Sequence, residues 1–239
     1  MYLIFYIINS NENYVLLDVT FQNNSISGKK VPVNNPAIIQ FGEPAVVNTI
    51  EINDLLGDKL TAFAPNTIGV KYTAKDQFGR PKCTEIIKQL FDCSYLSNRC
   101  SDLDRVSFIY KELGNLQITY EKSKDMDLRN CLIDTIRTCE LLLSGGVRNK
   151  SNYKMLMDGV RNFNDYKMDN QLTSLDIKSY ALSVNIIASK IFKKIYPSTK
   201  AENKLDYFIR TGINEKELNL IATKKQLEEF LDNCLILIK

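Results

Sequence analysis

The sequence predicts an α+β protein, in which a short strand-rich head precedes a long helical body. Residues 1–50 contain short runs of β-branched and aromatic residues separated by turn-forming Asn, Gly and Pro. From Asn53 onward, apolar residues recur about every 3.6 positions, which is the period of a helix. The 239 residues, 44% of them hydrophobic, are typical of a globular chain and allow one large domain or two smaller ones.

The head begins with a predicted β-hairpin. The apolar run MYLIFYII at 1–8 is followed by the polar segment 9–13 and by the run YVLLDVTF at 14–21. The first run lacks the basic start and the cleavage site of a signal peptide, and it is far shorter than the roughly 20 apolar residues of a membrane span. Further extended segments are predicted at 37–41 and 45–50.

The helical body is predicted from apolar stripes and from helix-ending residues. Asn53 or Asp54 can cap a first helix that ends at Pro65, and Thr84 can cap a second. Further helical stripes are predicted at 103–113, 128–143, 177–195 and 227–237. Glycines at 145–146 should end the second of these and Pro197 the third.

The composition limits the chemistry that this chain can perform. It contains no histidine, so the usual general base and the commonest metal ligand are absent, and carboxylates, Lys, Tyr, Ser or Cys must act instead. The six cysteines include no Cys-x-x-Cys pair, and we expect them to be reduced and free of metal. A net charge of +3 with dispersed basic residues predicts neither DNA nor a membrane as a partner.

Three charged features are candidates for a functional site. Asp18 interrupts an apolar strand, where its carboxylate either faces solvent or is paired with a cation. Lys59 lies on an otherwise apolar helix face, from which its ammonium either reaches water or meets a phosphate as a point charge. Lys88 and Asp92 are four residues apart on the next helix, so they can form an ion pair across one turn.

In their order along the chain, these features resemble a known family. An LLDVTF strand, an LLGDKLTAF helix and a KQLFDCSYL helix are similar to the nucleotidyltransferase AbiEii/AbiGii toxin family of bacterial abortive-infection and toxin–antitoxin systems. The resemblance covers roughly residues 1–97, which it makes a nucleotidyltransferase-like α/β portion. Residues 98–239 then correspond to the helical domain that this family appends.

The resemblance also implies roles for single residues and for ligands. Asp18 would be a catalytic acid and magnesium ligand that aligns or deprotonates the acceptor hydroxyl. Lys59 would neutralise the phosphates of a nucleoside triphosphate, and Lys88 with Asp92 would hold the helix beneath that nucleotide. The implied partners are an RNA or protein acceptor and a cognate antitoxin in the bacterial cytoplasm. We expect all four side chains to converge on one cleft.

Two departures from the family pattern limit the predicted activity. Gln89 stands where the family has the first acid of a Lys-Asp-x-x-Asp motif. The family's Gly-Ser and Asp-x-Asp motif, which holds the metal-binding acid pair, would precede the strand of Asp18 and has no counterpart in this sequence. We therefore expect weak magnesium nucleotide binding and no transfer without that acid pair. The alternative is a catalytically silent helical scaffold or protein-interaction module.

Overall fold

The computed structural model describes residues 2–8, 11–17, 25–34, 42–76, 78–121, 126–165, 171–198 and 202–234. Within these ranges the protein is mostly helical and has a strand-rich N-terminal part, so the predicted α+β class is confirmed. The strands lie between Tyr2 and Ile50, and the described part of residues 100–239 contains helices and connections without a strand, as predicted.

The first two strands form the predicted hairpin. Strand β1 (Tyr2–Ile8) pairs antiparallel with β2 (Asn11–Leu17), with Ile8 opposite Asn11. The second strand begins three residues before the apolar run, because main-chain hydrogen bonds extend the ladder through polar residues as readily as through apolar ones. Asp18 and the predicted extended segment 37–41 lie outside the described residues.

A second antiparallel hairpin follows. Strand β3 (Gly28–Pro32) pairs with β4 (Val46–Ile50), which confirms the extended segment predicted at 45–50. Among the described residues the two hairpins form separate two-stranded sheets. All residues of β4 are exposed, so this hairpin contributes little to the core.

The helices follow the predicted stripes and add three elements. They are α1 (Ile52–Ala62), α2 (Cys83–Ser97), α3 (Leu103–Tyr120), α4 (Leu128–Leu143), α5 (Lys150–Asn164), α6 (Ser174–Ile195), α7 (Lys204–Thr211), α8 (Glu215–Ile221) and α9 (Lys224–Cys234). Asp102, Asp127 and Thr173 cap α3, α4 and α6 by accepting a hydrogen bond from a main-chain N–H in the first turn.

The predicted cap of α1 is wrong. The helix begins at Ile52, which places Asn53 and Asp54 inside the first turn. Both side chains bind other elements instead of the start of their own helix. The Asn53 side chain donates to the Ser101 hydroxyl and accepts from main-chain N–H groups just before α3. The partners that the fold supplies therefore outweigh the local capping preference.

The predicted cap of α2 is wrong as well. The helix begins at Cys83, and Thr84 lies in its first turn rather than before it. An isolated antiparallel bridge between Lys75 and Pro81 closes the preceding loop. The next residue, Lys82, occupies the cap position of α2. The loop geometry therefore sets the start of this helix.

The core is one apolar cluster built around α6. This helix packs against α2, α4 and α9, and it buries apolar side chains along most of its length. Phe91 of α2 contacts Phe163 of α5 and Tyr180 of α6, with both pairs of ring centroids 5.7 Å apart. The cluster joins helices on both sides of residue 97.

Helix α1 approaches α3 closely at Gly57. A Cβ atom at this position would lie 2.8 Å from the Ile109 side chain and 3.0 Å from the Val106 carbonyl oxygen. Glycine is therefore required here because the two helix backbones meet without room for a side chain.

A buried ion pair joins the segment before β3 to the helices. The Arg105 guanidinium donates two hydrogen bonds of 2.6 Å to the Asp54 carboxylate, which is 1% exposed, and others to the Ser25 carbonyl and the Ser27 hydroxyl. The Ser27 N–H also donates to Asp54. Burial opposes ionisation of Asp54, but these hydrogen bonds outweigh it and lower the pKa of its carboxyl below the ordinary value.

The cysteines and the helix lengths bear on two further predictions. Each of the five cysteines whose side chains are described has a free thiol; Cys100 is partly exposed and the other four are buried. No helix in the described ranges combines the length and apolar content needed to cross a bilayer.

Candidate functional site

The structure joins two of the predicted site residues directly. The Lys59 Nζ on α1 lies 3.0 Å from Asp92 Oδ2 on α2, and the two side chains are 26% and 28% exposed. About three quarters of each side chain is shielded from water, so this pair is less screened than a surface ion pair, which is typically worth about 0.2–1 kcal/mol. A phosphate bound by the ammonium would have to compete with Asp92 for it.

Two groups next to this ion pair, Asp58 and Cys93, have pKa values above their ordinary ones. Burial raises the pKa of Asp58 above its ordinary value, and the adjacent Lys59 offsets part of the increase. Cys93 is fully buried next to Asp92, and burial raises the pKa of its thiol far above the ordinary value. This thiol remains protonated near neutral pH, so it is unsuited to act as a nucleophile.

Lys88 lies on the same face of α2, one turn before Asp92. Among the described residues the two form no ion pair, because Asp92 is paired with Lys59 instead. Lys88 is exposed and lines a cleft of about 1090 Å³ between α2, the end of α5 and the loop that follows α1. The predicted pairing across one turn is therefore replaced by a pairing between helices.

The cleft brings together charges that the sequence did not single out. Lys71, Arg80 and Lys82 line it together with Lys88, and four acidic side chains line the same cleft. Lys71 is paired with Glu121, and Arg80 with Asp76. A clustering of lysines around a long loop was the only signal in the sequence, and it gave no indication that the loop folds back onto α2.

Gln89, which the resemblance aligns with the first acid of a Lys-Asp-x-x-Asp motif, has an environment that differs from that of Lys88. The side chain is buried, and its Oε1 has no hydrogen-bond partner among the described residues. A carboxylate here would lose its hydration without gaining a cation, whereas a neutral amide costs less to bury. The structure therefore gives a physical reason for glutamine at this position.

The expected convergence of four residues on one cleft is not shown, because the cleft that Lys88 lines includes neither Lys59 nor Asp92. Lys59 and Asp92 are in contact, and Lys88 lies one helical turn away from Asp92. Asp18 is outside the described residues, so its distance from the other three stays a prediction.

The described residues do not fit a magnesium ion. They contain no group of three or more Cys, Asp or Glu side chains that could surround a cation, and Asp92 is already engaged by Lys59. Magnesium prefers about six oxygen ligands, usually including one or two carboxylates. The described residues therefore offer no set of ligands for the magnesium ion that the resemblance implies.

Comparisons of the chain with protein-family models, with curated proteins and with solved structures found no match.

Proposed function

We propose that this chain is the nucleotidyltransferase-like toxin component of a bacterial abortive-infection or toxin–antitoxin system. It would transfer a nucleotide from a nucleoside triphosphate to an RNA or protein acceptor in the cytoplasm, and a cognate antitoxin would inhibit it. The observation that supports this proposal is the contact between Lys59 and Asp92. These residues belong to two separate motifs of the resemblance, and both are assigned to the nucleotide site.

The reaction requires charge neutralisation and one proton transfer. The acceptor hydroxyl attacks the α-phosphorus, a new P–O bond forms, the bond between the α-phosphorus and the bridging oxygen breaks, and pyrophosphate leaves. Lys59 would place its ammonium against the negative charge of the phosphates, as a point charge on a flexible stem. Asp18 would accept the proton of the hydroxyl, a role that rests on the resemblance alone.

Lys88 extends the proposed site toward the cleft. Residues 84, 88 and 92 follow one another at single-turn intervals along α2, so they form one stripe. The stripe borders the cleft at Thr84 and Lys88 and continues to the ion pair at Asp92. Ligand pockets commonly measure about 300–1,000 Å³, so the cleft is large enough for a nucleoside triphosphate.

Nucleotide binding tests this proposal most directly. Isothermal titration calorimetry with each of the four magnesium ribonucleoside triphosphates should show weak, saturable binding to the 239-residue chain. Lys59→Gln and Lys88→Gln should each weaken it about tenfold, since a hydrogen bond to a charged group is commonly worth 1.5–3 kcal/mol. Lys111→Gln, at an exposed position of α3, removes the same charge away from the site and should leave binding unchanged.

The outcomes separate the two classes of function. Binding that Lys59→Gln and Lys88→Gln both weaken, and that the control Lys111→Gln leaves unchanged, supports the proposal. An absence of binding, or binding that Lys59→Gln and Lys88→Gln leave intact, contradicts it and favours the catalytically silent scaffold or interaction module.

Transfer itself is tested with the acid pair in place. If the reading frame upstream of Met1 encodes a Gly-Ser and Asp-x-Asp motif, the extended protein should incorporate labelled nucleotide into RNA or protein. Asp18→Asn should abolish that incorporation without changing the melting temperature by more than a few degrees. Vigorous transfer by the 239 residues alone would show that the catalytic acids were misplaced.

A further inference from the structure

The hairpin of β3 and β4 lies outside the apolar core and exposes its own apolar side chains. None of the residues of these two strands belongs to the buried core, and Val46, Val47 and Ile50 are 64%, 41% and 40% exposed. Among the described residues the two strands pair only with each other. A two-stranded hairpin that buries little apolar surface is marginally stable in water. A further strand paired with this hairpin would therefore stabilise it.

The register of the hairpin shows which main-chain groups of β4 face outward. The Val33 N–H donates to the Ala45 carbonyl at 2.8 Å, and the Glu51 N–H donates to the Ser27 carbonyl at 3.1 Å. In an antiparallel pair, hydrogen-bonded positions alternate with positions that are not hydrogen-bonded. The odd-numbered residues of β4 therefore bind β3. The even-numbered residues direct their N–H and C=O groups away from β3, and they form the outer edge of β4, namely Val46, Asn48 and Ile50.

The outer edges of the two strands differ in how they are protected from further pairing. By the same alternation the outer edge of β3 consists of Gly28, Lys30 and Pro32, and Pro32 has no N–H to donate. Lysine and proline are residues with which proteins commonly block an exposed strand edge. The outer edge of β4 contains neither, and all residues of that strand are uncharged. Of the two edges, only that of β4 is open to another strand.

The outer edge of β4 is complementary to itself. When two copies of the strand run antiparallel about a two-fold axis at Asn48, Val46 of each copy lies opposite Ile50 of the other. Every opposed pair on this edge is of the hydrogen-bonded type, so each residue exchanges both main-chain hydrogen bonds with the residue opposite it. The valine and isoleucine side chains pack against each other, and the two Asn48 amides meet at the axis, where each can donate and accept.

The charges of the hairpin favour this pairing over the alternative one. Two copies of β3 paired by their outer edges would place Lys30, the central residue of that edge, opposite its own copy, and like charges in that position are destabilising. In the pairing through β4, three inter-strand spacings of about 4.8 Å, or about 14 Å, separate the two Lys30 residues. That distance exceeds the Debye length of about 10 Å at 0.1 M salt.

We propose that β4 pairs with β4 of a second copy of this chain, so that two hairpins form one continuous antiparallel sheet with the strand order β3-β4-β4-β3. An interface made by a single five-residue strand edge on each side is far smaller than the about 800 Å² per partner of a standard protein interface. The dimer is therefore reversible and depends on protein concentration. It involves none of the residues assigned to nucleotide binding, so the two proposals stand or fail separately.

Sedimentation velocity of the full 239-residue chain tests the association. A weak interface predicts a reversible monomer–dimer equilibrium over roughly 1–200 μM protein. Asn48→Asp places two carboxylates opposite each other at the axis, while within each hairpin the new carboxylate lies opposite Lys30. It should therefore weaken the dimer about tenfold or more without destabilising the hairpin. Lys29→Gln, an exposed change of equal charge on β3, should leave the association unchanged.

Two further experiments test the register at the axis. An equimolar mixture of Asn48→Asp and Asn48→Lys should dimerise more tightly than either variant alone, because opposite charges then meet. Asn48→Cys brings two thiols onto residues whose Cα atoms are about 5.5 Å apart, a separation that a disulfide spans. Oxidised glutathione should therefore convert this variant, but not the unaltered protein, to a covalent dimer. Lys30→Cys, at the central position of the β3 edge, should stay monomeric on a denaturing gel.

The opposite results would overturn the proposal. One is a chain that stays monomeric over the whole concentration range. Another is a dimer that Asn48→Asp does not weaken and Asn48→Cys does not trap. A dimer that Lys29→Gln weakens as much as Asn48→Asp does, or that Lys30→Cys traps, would place the contact on β3 and would overturn the proposal equally.

Discussion

Replacing Arg105 with glutamine should expose how strongly the segment before β3 depends on one ion pair. The change removes both hydrogen bonds from the guanidinium to Asp54, together with those to Ser25 and Ser27. Asp54 then stays buried with the Ser27 N–H as its remaining donor among the described contacts. The perturbation thus leaves a charge in the interior without its counter-charge.

The expected loss follows from the burial of the two groups. Breaking a buried ion pair costs about 3–5 kcal/mol, because one charge is left uncompensated. The carboxylate of Asp54 is 1% exposed but the Arg105 side chain is 28% exposed, so water can replace part of the guanidinium. We therefore expect a loss of about 2–4 kcal/mol in the free energy of unfolding, or roughly 4–16 °C in melting temperature for a chain of this size.

The loss should also depend on pH. The folded-state pKa of Asp54 is lowered, so its stabilising contribution is present above the unfolded pKa of about 3.9 and is lost as the pH falls through the folded value. Urea unfolding followed by circular dichroism at pH 7 and at pH 3 measures the difference between Arg105→Gln and the unaltered protein. That difference should be largest at pH 7 and smaller at pH 3.

Two results would refute this reasoning. One is a loss below about 1 kcal/mol at pH 7, which would mean that water satisfies Asp54 as well as arginine does. The other is a difference that stays constant between the two pH values, which would exclude the Asp54 charge as its cause. Arg99→Gln serves as the matched control, since it removes an exposed guanidinium without uncovering a buried carboxylate.

Three further predictions concern packing, a buried acceptor and the thiols. Gly57→Ala should destabilise the protein by about 1–3 kcal/mol despite the better helix propensity of alanine, because the new Cβ meets a main-chain carbonyl oxygen. Gly114→Ala should cost less, because the one close contact of its new Cβ is the end of the Leu128 side chain, which can move. Thermal melts of both variants test this. Asp134→Asn should cost about 1–3 kcal/mol in urea unfolding, because it puts a donor where the carboxylate accepts two hydrogen bonds from Asn66. Thiol titration of denatured protein without reductant should find six free thiols, and clearly fewer would contradict the reduced state. In the native protein, Cys100→Ser should remove one equivalent from the fast phase of the thiol reaction, because Cys100 is partly exposed.

The sequence predicted the helices that have a wide apolar stripe. It did not predict the residues at which α1 and α2 begin. The stripes of α4 and α6 are continuous, so their periodicity was visible in the sequence. Helix α5 was missed because its buried residues are few, with Leu156, Gly159 and Val160 as its fully buried positions. The start of α1 was misplaced because the Asn53 side chain binds across to α3, a contact that local preferences cannot anticipate.

The site was predictable in its residue types but not in its pairings. Spacing along one helix favoured a contact between Lys88 and Asp92, yet the packing of α1 on α2 supplies Lys59 as the partner instead. A cavity of about 220 Å³ is lined by Arg137 of α4, Arg148 just before α5 and Arg210 of α7, and no spacing in the sequence relates these three residues. Only the fold brings them together.

The central position of α6 has a consequence for synthesis of the protein. The apolar faces of α2 and α4 are covered by a helix that ends at Ile195, so the ribosome must add roughly 100 residues after α2 before that cover exists. At synthesis rates of about 5–20 residues per second, the interval is on the order of 5–20 s. During that time the nascent chain presents uncovered Leu, Ile and Phe side chains, and these are the surfaces that chaperones bind and that aggregation uses.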